Sequence, residues 1–411
     1  MRSDQPVTIF GPDFPFAYDD WLRHPAGLGG LPERAHRRTV AIVGAGIAGM
    51  VAAYELMELG LRPVVYESAR IGGRLRSHRF EDAEFEDTGG VIAELGGMRF
   101  PVSGTSFFHY ARRLGLPDAP FPNPLTEAAG STVINIGGQT FQGRTIADLP
   151  LEFAEVSSAW DEALEEIGFT ALQDAIRARD APALKRRWNE LIPVWDGRTF
   201  YDFVASSKAF SRLPFKYREM FGMVGFGTGG WDSDFPNSML EILRVVITNC
   251  DTDQRLIVGG VERLPRGLWT LPVSDKSPWP EGTTLASLHG QVPRPGVSAI
   301  RRGDGGSFRV RDRWGTERVH DAVLATCQGW LLTTQIDCDE SLFSQELWMA
   351  LDRTRYMQSS KTFVMVDRPF WKDIDPATGH PLMGMTLTDR ITRGTYLFDN
   401  GPGRPAVICL N

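Results

Sequence analysis

Residues 37–68, RRTVAIVGAGIAGMVAAYELMELGLRPVVYES, decide the fold. A short β-branched run leads through a glycine turn into a segment with the apolar spacing of a helix of about fifteen residues, and a second apolar run ends at Glu67. Strand, helix and strand in that order make a βαβ unit, which places the chain in the α/β class. Gly44, Gly46 and Gly49 give the turn a GxGxxG spacing. Only glycine lets a backbone turn this tightly, approach a pyrophosphate and pack the next helix against the sheet. The helix N-terminus adds free N–H donors and positive potential. Glu67 stands eighteen residues beyond Gly49, where a carboxylate can hold the ribose hydroxyls of an adenosine. A bare GxGxxG is a weak signal, but its place between strand and helix makes dinucleotide binding the expectation over a ligand-free turn.

The next residues separate one dinucleotide from another. RIGGR, Arg70 to Arg74, follows Glu67 closely, and a glycine pair between arginines suits a second close approach to the phosphates of a cofactor held along its length. That favours FAD, and it disfavours an NAD-dependent dehydrogenase built on the same start. Strand, GxGxxG, helix, acid and RxGGR together resemble the flavin amine oxidase superfamily. The resemblance implies a Rossmann-like FAD-binding domain with an interleaved substrate-binding domain and a helical lobe. The spacing in ESARIGGR is one residue shorter than is usual there, which puts the phosphate contact on Arg74 more than on Arg70.

Composition narrows the partners. With 411 residues, the chain is too long for one ordinary core. A formal net charge of −7 and the lack of a basic stripe argue against nucleic acid. The opening residues mix acids and prolines where a signal peptide needs a basic start and an apolar stretch, and no apolar run approaches the roughly 18 residues that span a bilayer. Cys250, Cys327, Cys338 and Cys409 lie far apart with no CxxC, so neither a zinc site nor a disulfide framework is indicated and a cytoplasmic location is expected.

Residues 93–101, AELGGMRFP, resemble the segment under the flavin ring in L-amino-acid oxidases and amino-acid 2-monooxygenases. The resemblance implies that Gly96, Gly97 and Met98 border the flavin and that Arg99 grips the substrate α-carboxylate; a planar guanidinium can do so through two parallel charge-assisted bonds. The alternative is an arginine paired with a structural acid, Glu94 or Glu86. In QSSKTFVMV, Lys361 falls on an apolar strand, where an ammonium is costly unless paired or shifted in pKa. The superfamily uses a lysine so placed to hold a water against the flavin, so Lys361 is the catalytic candidate; the alternative is the solvent end of an edge strand. Val297 is implied as a further cofactor contact.

Residues 221–269 resemble the bacterial amino-acid 2-monooxygenases, the lysine more than the tryptophan type. On that likeness Asp234 binds a distal ammonium and Cys250 lines the pocket. Asp232 is the rival acid, and a helix cap near Pro236 the alternative role for Asp234. The expected substrates are L-lysine, or another L-amino acid, and dioxygen, with a homo-oligomer as the expected assembly. The expected divisions are an N-terminal arm at 1–35, FAD-binding parts at 36–105 and 246–330, a helical and substrate-binding lobe at 106–245, and a substrate-binding part at 331–411. The last residues, GRPAVICLN, read as a buried strand that stops in mid-domain, so the fold is expected to lack its C-terminal part and an inactive FAD-binding remnant is the competing reading.

Overall fold

A computed structural model describes residues 19–80, 91–224, 238–250, 252–354, 356, 360–399 and 404–410. The opening βαβ unit forms as its pattern requires. Thr39–Val43 is an inner strand, parallel to Arg62–Glu67 on one side and to Ala322–Ala325 on the other, and Arg294–Pro295 extends the sheet beside Tyr66 and Glu67. Its side chains alternate between two covers. Val40 and Ile42 pack against Met50, Ala53, Tyr54 and Met57 of the helix Ile47–Glu58, while Ala41 packs with Tyr66 against Val310 of a second sheet.

The helix has 12 residues, shorter than its apolar spacing suggests. Gly60 stops it: in the left-handed region at φ 89° it donates to Met57 O, and Leu61 donates to Leu56 O, so the last carbonyls are satisfied. Residues 297–320 form a three-stranded meander, Val297–Arg302, Phe308–Asp312 and Glu317–His320, with its second turn at Gly315. The run after it, Ala322–Ala325, joins the dinucleotide sheet at its edge. It is therefore only partly buried, with Leu324 40% exposed.

Two larger bodies stand beside these sheets among the described residues. Helices Leu151–Glu166, Phe169–Arg177, Ala181–Trp195, Phe200–Ser206 and Met239–Ile247 enclose a core of Trp160, Leu164, Ile176, Phe203 and Leu243. A six-stranded sheet runs in the order Thr362–Val366, Ala406–Leu410, Gly394–Phe398, Met385–Thr388, Thr132–Ile136, Gln139–Gly143. Its last two strands form a hairpin that turns at Gly137 and Gly138. Phe363, Cys409, Tyr396, Met385 and Thr132 stand opposite one another in successive strands, which gives the sheet one continuous face. Met98 and Phe121 pack on that face. Among the described residues no helix is long and apolar enough to cross a membrane.

Candidate active site

The two glycine loops lie edge to edge. Gly72 N–H donates to Ala45 O at 2.9 Å, and Gly46 and Gly72 form a parallel bridge. A Cβ on Gly49 would stand 2.0 Å from Gly44 O, so this position must lack a side chain for the helix to pack. A Cβ on Gly46 would meet nothing within 4 Å. That open space adjoins a helix N-terminus with no side-chain cap, and the N–H groups of Ala48 and Gly49 have no acceptor among the described residues. An uncapped helix end behind an open glycine fits the pyrophosphate of a dinucleotide.

Glu67 sits at the tip of this cradle. Its carboxylate accepts from Ala45 N–H and Ala69 N–H, each at 2.8 Å, and at longer range from Arg70 N–H at 3.3 Å and Ser68 Oγ at 3.5 Å, so a ribose hydroxyl would compete with the two longer bonds. The two arginines of the second loop are placed differently. Arg70 is committed, bonding Gly73 O at 3.0 Å and pairing with Glu262 at 3.1 Å, whereas the exposed guanidinium of Arg74 has no partner among the described residues. Val297 follows Gly296, where a Cβ would fall 2.8 Å from Ser68 Cα, so it lies beside the Glu67 end of the cradle. Thr326, which the sequence gave no reason to single out, donates to Val43 O and Gly44 O and holds the first loop.

The strap 93–101 continues from this cradle. Gly97 N–H donates to Arg74 O at 3.1 Å, and a Cβ on Gly96 would stand 1.8 Å from that same oxygen. Beyond buried Met98, Arg99 Nη1 donates to the Tyr396 hydroxyl at 3.1 Å, its guanidinium 5.5 Å from the centre of that ring and 6.0 Å from the centre of Phe121. No described carboxylate pairs with it. Glu94, the structural acid weighed as its partner, instead accepts from Ser77 Oγ at 2.8 Å and Val261 N–H at 2.9 Å; Glu86 lies outside the described residues. Tyr396 gave no advance signal, since GTYLF reads only as a strand.

Arg99 and Cys250 share one cavity of about 620 Å³, walled by Phe153, Trp160, Phe221, Met385 and Tyr396 among others. Thr248 Oγ1 donates to Cys250 Sγ at 3.1 Å. Asp234 and Asp232 lie outside the described residues. The helix after them starts at Met239 and is capped by Ser238, which accepts from Leu240 N–H at 3.2 Å; the capping role weighed for Asp234 is therefore filled by Ser238.

Lys361 stands one residue before its strand and outside that cavity wall, with its side chain turned to the strap. Nζ donates to Gly96 O at 2.5 Å and Glu94 O at 3.3 Å. Burial holds its pKa below the ordinary lysine value, with Arg99 acting the same way and Cys409 and Glu94 opposing. Burial also raises the Glu94 carboxyl to about 6.

Comparison with known proteins fits this geometry. The profile of the flavin containing amine oxidoreductases matches residues 47–409. Tryptophan 2-monooxygenase of Agrobacterium vitis is 30% identical over 403 residues, which cover 92% of this chain and 50% of that protein. The Pseudomonas savastanoi enzyme of the same name is 30% identical over 405 residues, 92% of this chain and 68% of that one. L-amino-acid oxidase of Mus musculus is 26% identical over 91% of this chain and 54% of its own. The chain thus spans about half the length of several curated relatives that it matches. Among solved structures, a putrescine oxidase superposes with a TM-score of 0.64 at 17% identity, over 90% of this chain and 74% of that one, which shows a shared fold.

Proposed function

The chain belongs to the flavin containing amine oxidoreductases, and from that premise we propose that it oxidises the Cα–N bond of an L-α-amino acid with FAD and dioxygen. The observation that carries this reading is Arg99: a guanidinium with no described carboxylate partner, steadied by Tyr396, at the end of a strap that starts on the dinucleotide cradle. It suits a substrate carboxylate, bound through two charge-assisted hydrogen bonds that fix the α-carbon. The cradle residues Gly44, Gly46, Gly49, Glu67 and Arg74 would hold the FAD, with Gly96, Gly97, Met98 and Val297 along its length. Bound FAD supplies the two-electron oxidation and passes the electrons to dioxygen.

Lys361 is the catalytic residue of this reading. Its ammonium lies against the strap carbonyls, and its lowered pKa suits a group that shares a proton with a nearby water. The imino acid that forms has two fates. Released, it hydrolyses to a keto acid and ammonia, with peroxide as the other product. Retained, it is decarboxylated by that peroxide, for an overall conversion of amino acid and O2 to an amide one carbon shorter, CO2 and water.

L-lysine is the substrate read from Asp234 and Cys250, with 5-aminopentanamide as product. A second reading, L-tryptophan, draws on the aromatic cavity wall of Phe153, Trp160 and Phe221 and on the names of the relatives. A cytoplasmic location belongs to the proposal, in keeping with four free cysteines. Anaerobic titration of the FAD-loaded chain with L-lysine, L-arginine, L-tryptophan and L-phenylalanine tests it. Bleaching of the flavin band by lysine, lost in Asp234→Ala and in Arg99→Ala, is the expected result, with the amide identified by mass in air. A flavin that none of the four bleaches overturns the reading.

A further inference from the structure

Four remote segments meet at Glu94. Its Oε2 accepts from Ser77 Oγ at 2.8 Å, from the strand Ser77–Arg79, and its Oε1 accepts from Val261 N–H at 2.9 Å, just before the helix Arg263–Thr270. Its own carbonyl and that of Gly96 take the Lys361 ammonium. The packing leaves no slack: a Cβ on Gly260, which is at φ 100°, would lie 2.9 Å from Ser77. Ser77 also binds the next acid, its N–H donating to Glu262 Oε2 at 3.1 Å and its Oγ accepting from Glu262 N–H at 3.1 Å. Glu262 in turn carries Arg70 and Arg266, so its charge is matched. Among the described residues Glu94 has no such arginine, and the cation that faces it is Lys361.

We propose that Glu94 is a positioning residue for Lys361: its carboxylate clamps the strap between Ser77 and Val261, so that the strap carbonyls hold the lysine ammonium beside the flavin site. This rests on the assignment of Lys361 to the cofactor site and not on which amino acid is oxidised. The charged groups around the pair are Glu262, Arg70 and Arg266 on the Ser77 side, and Arg99 with the neutral Cys409 thiol on the Lys361 side. Burial places the Glu94 titration at about 6, with the lysine charge pulling it down.

The test is the visible spectrum of the FAD-loaded chain from pH 5 to pH 8, with no substrate present. The wild type is expected to show a shift of the flavin band with its midpoint near 6, which Glu94→Gln abolishes and Glu94→Asp keeps. In Lys361→Met the midpoint should move up by about half a pH unit or more, as the neighbouring cation is lost. A midpoint unchanged in Glu94→Gln or in Lys361→Met, or no transition in the wild type, overturns the proposal. If Glu94→Gln takes up no FAD, the Lys361→Met comparison still decides. A spectrum that behaves as expected in a chain that no amino acid reduces would leave this proposal standing and remove the substrate reading.

Discussion

Arg99 is the single side chain on which the proposed chemistry rests. Its guanidinium lies among Tyr396, Phe121 and the cavity, with no described carboxylate to neutralise it, so a substrate carboxylate would meet an uncompensated cation in a partly desolvated place. Loss of one member of such a pair costs about 2–5 kcal/mol. Arg99→Ala should therefore lower kcat/KM for an L-amino acid by roughly thirty-fold to a few thousand-fold, and Arg99→Lys should recover only part, because an ammonium cannot make the two parallel bonds; steady-state kinetics on both variants check this. Glu94 gives a prediction of opposite kind. Its folded pKa of about 6 lies above the ordinary carboxyl value of 4.5, so its contribution to stability is fully present below pH 4.5 and is lost as the pH rises through 6. Glutamine cannot ionise, so Glu94→Gln should be more stable than the wild type at pH 8, by up to about 2 kcal/mol, with the gap closing below pH 5; thermal denaturation at both pH values shows whether it does. Sequence made Arg99 visible because a lone guanidinium interrupts an apolar run. It left Glu94 ambiguous, since whether an acid meets the arginine five residues on or a serine seventeen residues back is decided by tertiary contacts.

At the scale of elements, the glycines of the first loop do different work. Gly46 has φ −70° and open space where a Cβ would go, so alanine can adopt its conformation but would occupy the room a phosphate needs. Gly46→Ala should leave the melting temperature of the apo chain nearly unchanged and weaken FAD binding by at least about tenfold, through lost approach to the helix N–H groups. Gly49→Ala should do the reverse in order of cause: with a Cβ 2.0 Å from Gly44 O, the helix must move off the sheet, and the fold loses stability before any cofactor is added. Thermal melts of the apo proteins and fluorescence titration with FAD separate the two. Local pattern was sufficient for this unit because strand, turn and helix adjoin in sequence. It was less informative for Ala322–Ala325, where the same apolar composition suits an inner strand and an edge, and only the pairing with Thr39–Val43 on one side tells them apart.

The molecule as a whole brings a dinucleotide sheet and a six-stranded sheet together across the strap, and most of what does so is invisible in linear sequence. Thr132–Gly143 and residues 362–410 share one sheet although more than two hundred residues separate them, and neither stretch carries a mark of its partner. Strand character was read at Lys361 and at the run ending in Cys409, but nothing in the sequence marked the strands of Met385 and Tyr396, that the three residues would share a face, or that this face would meet Met98. Tyr396 is the point at which the assembly becomes chemistry, since its hydroxyl reaches from the six-stranded sheet to Arg99. If it serves to aim the guanidinium, its removal should weaken carboxylate binding and leave the oxidation step itself nearly intact. A hydrogen bond of this kind to a charged group is worth about 1.5–3 kcal/mol, so Tyr396→Phe should raise KM by roughly ten-fold or more while kcat falls little. Because chemistry that is slow relative to substrate release makes KM a binding constant, rapid anaerobic reduction at several substrate concentrations separates the two terms. A fall in the limiting reduction rate with KM unchanged would mean that the hydroxyl acts at the reacting carbon, and the sheet would then supply a catalytic group where we place a positioning one.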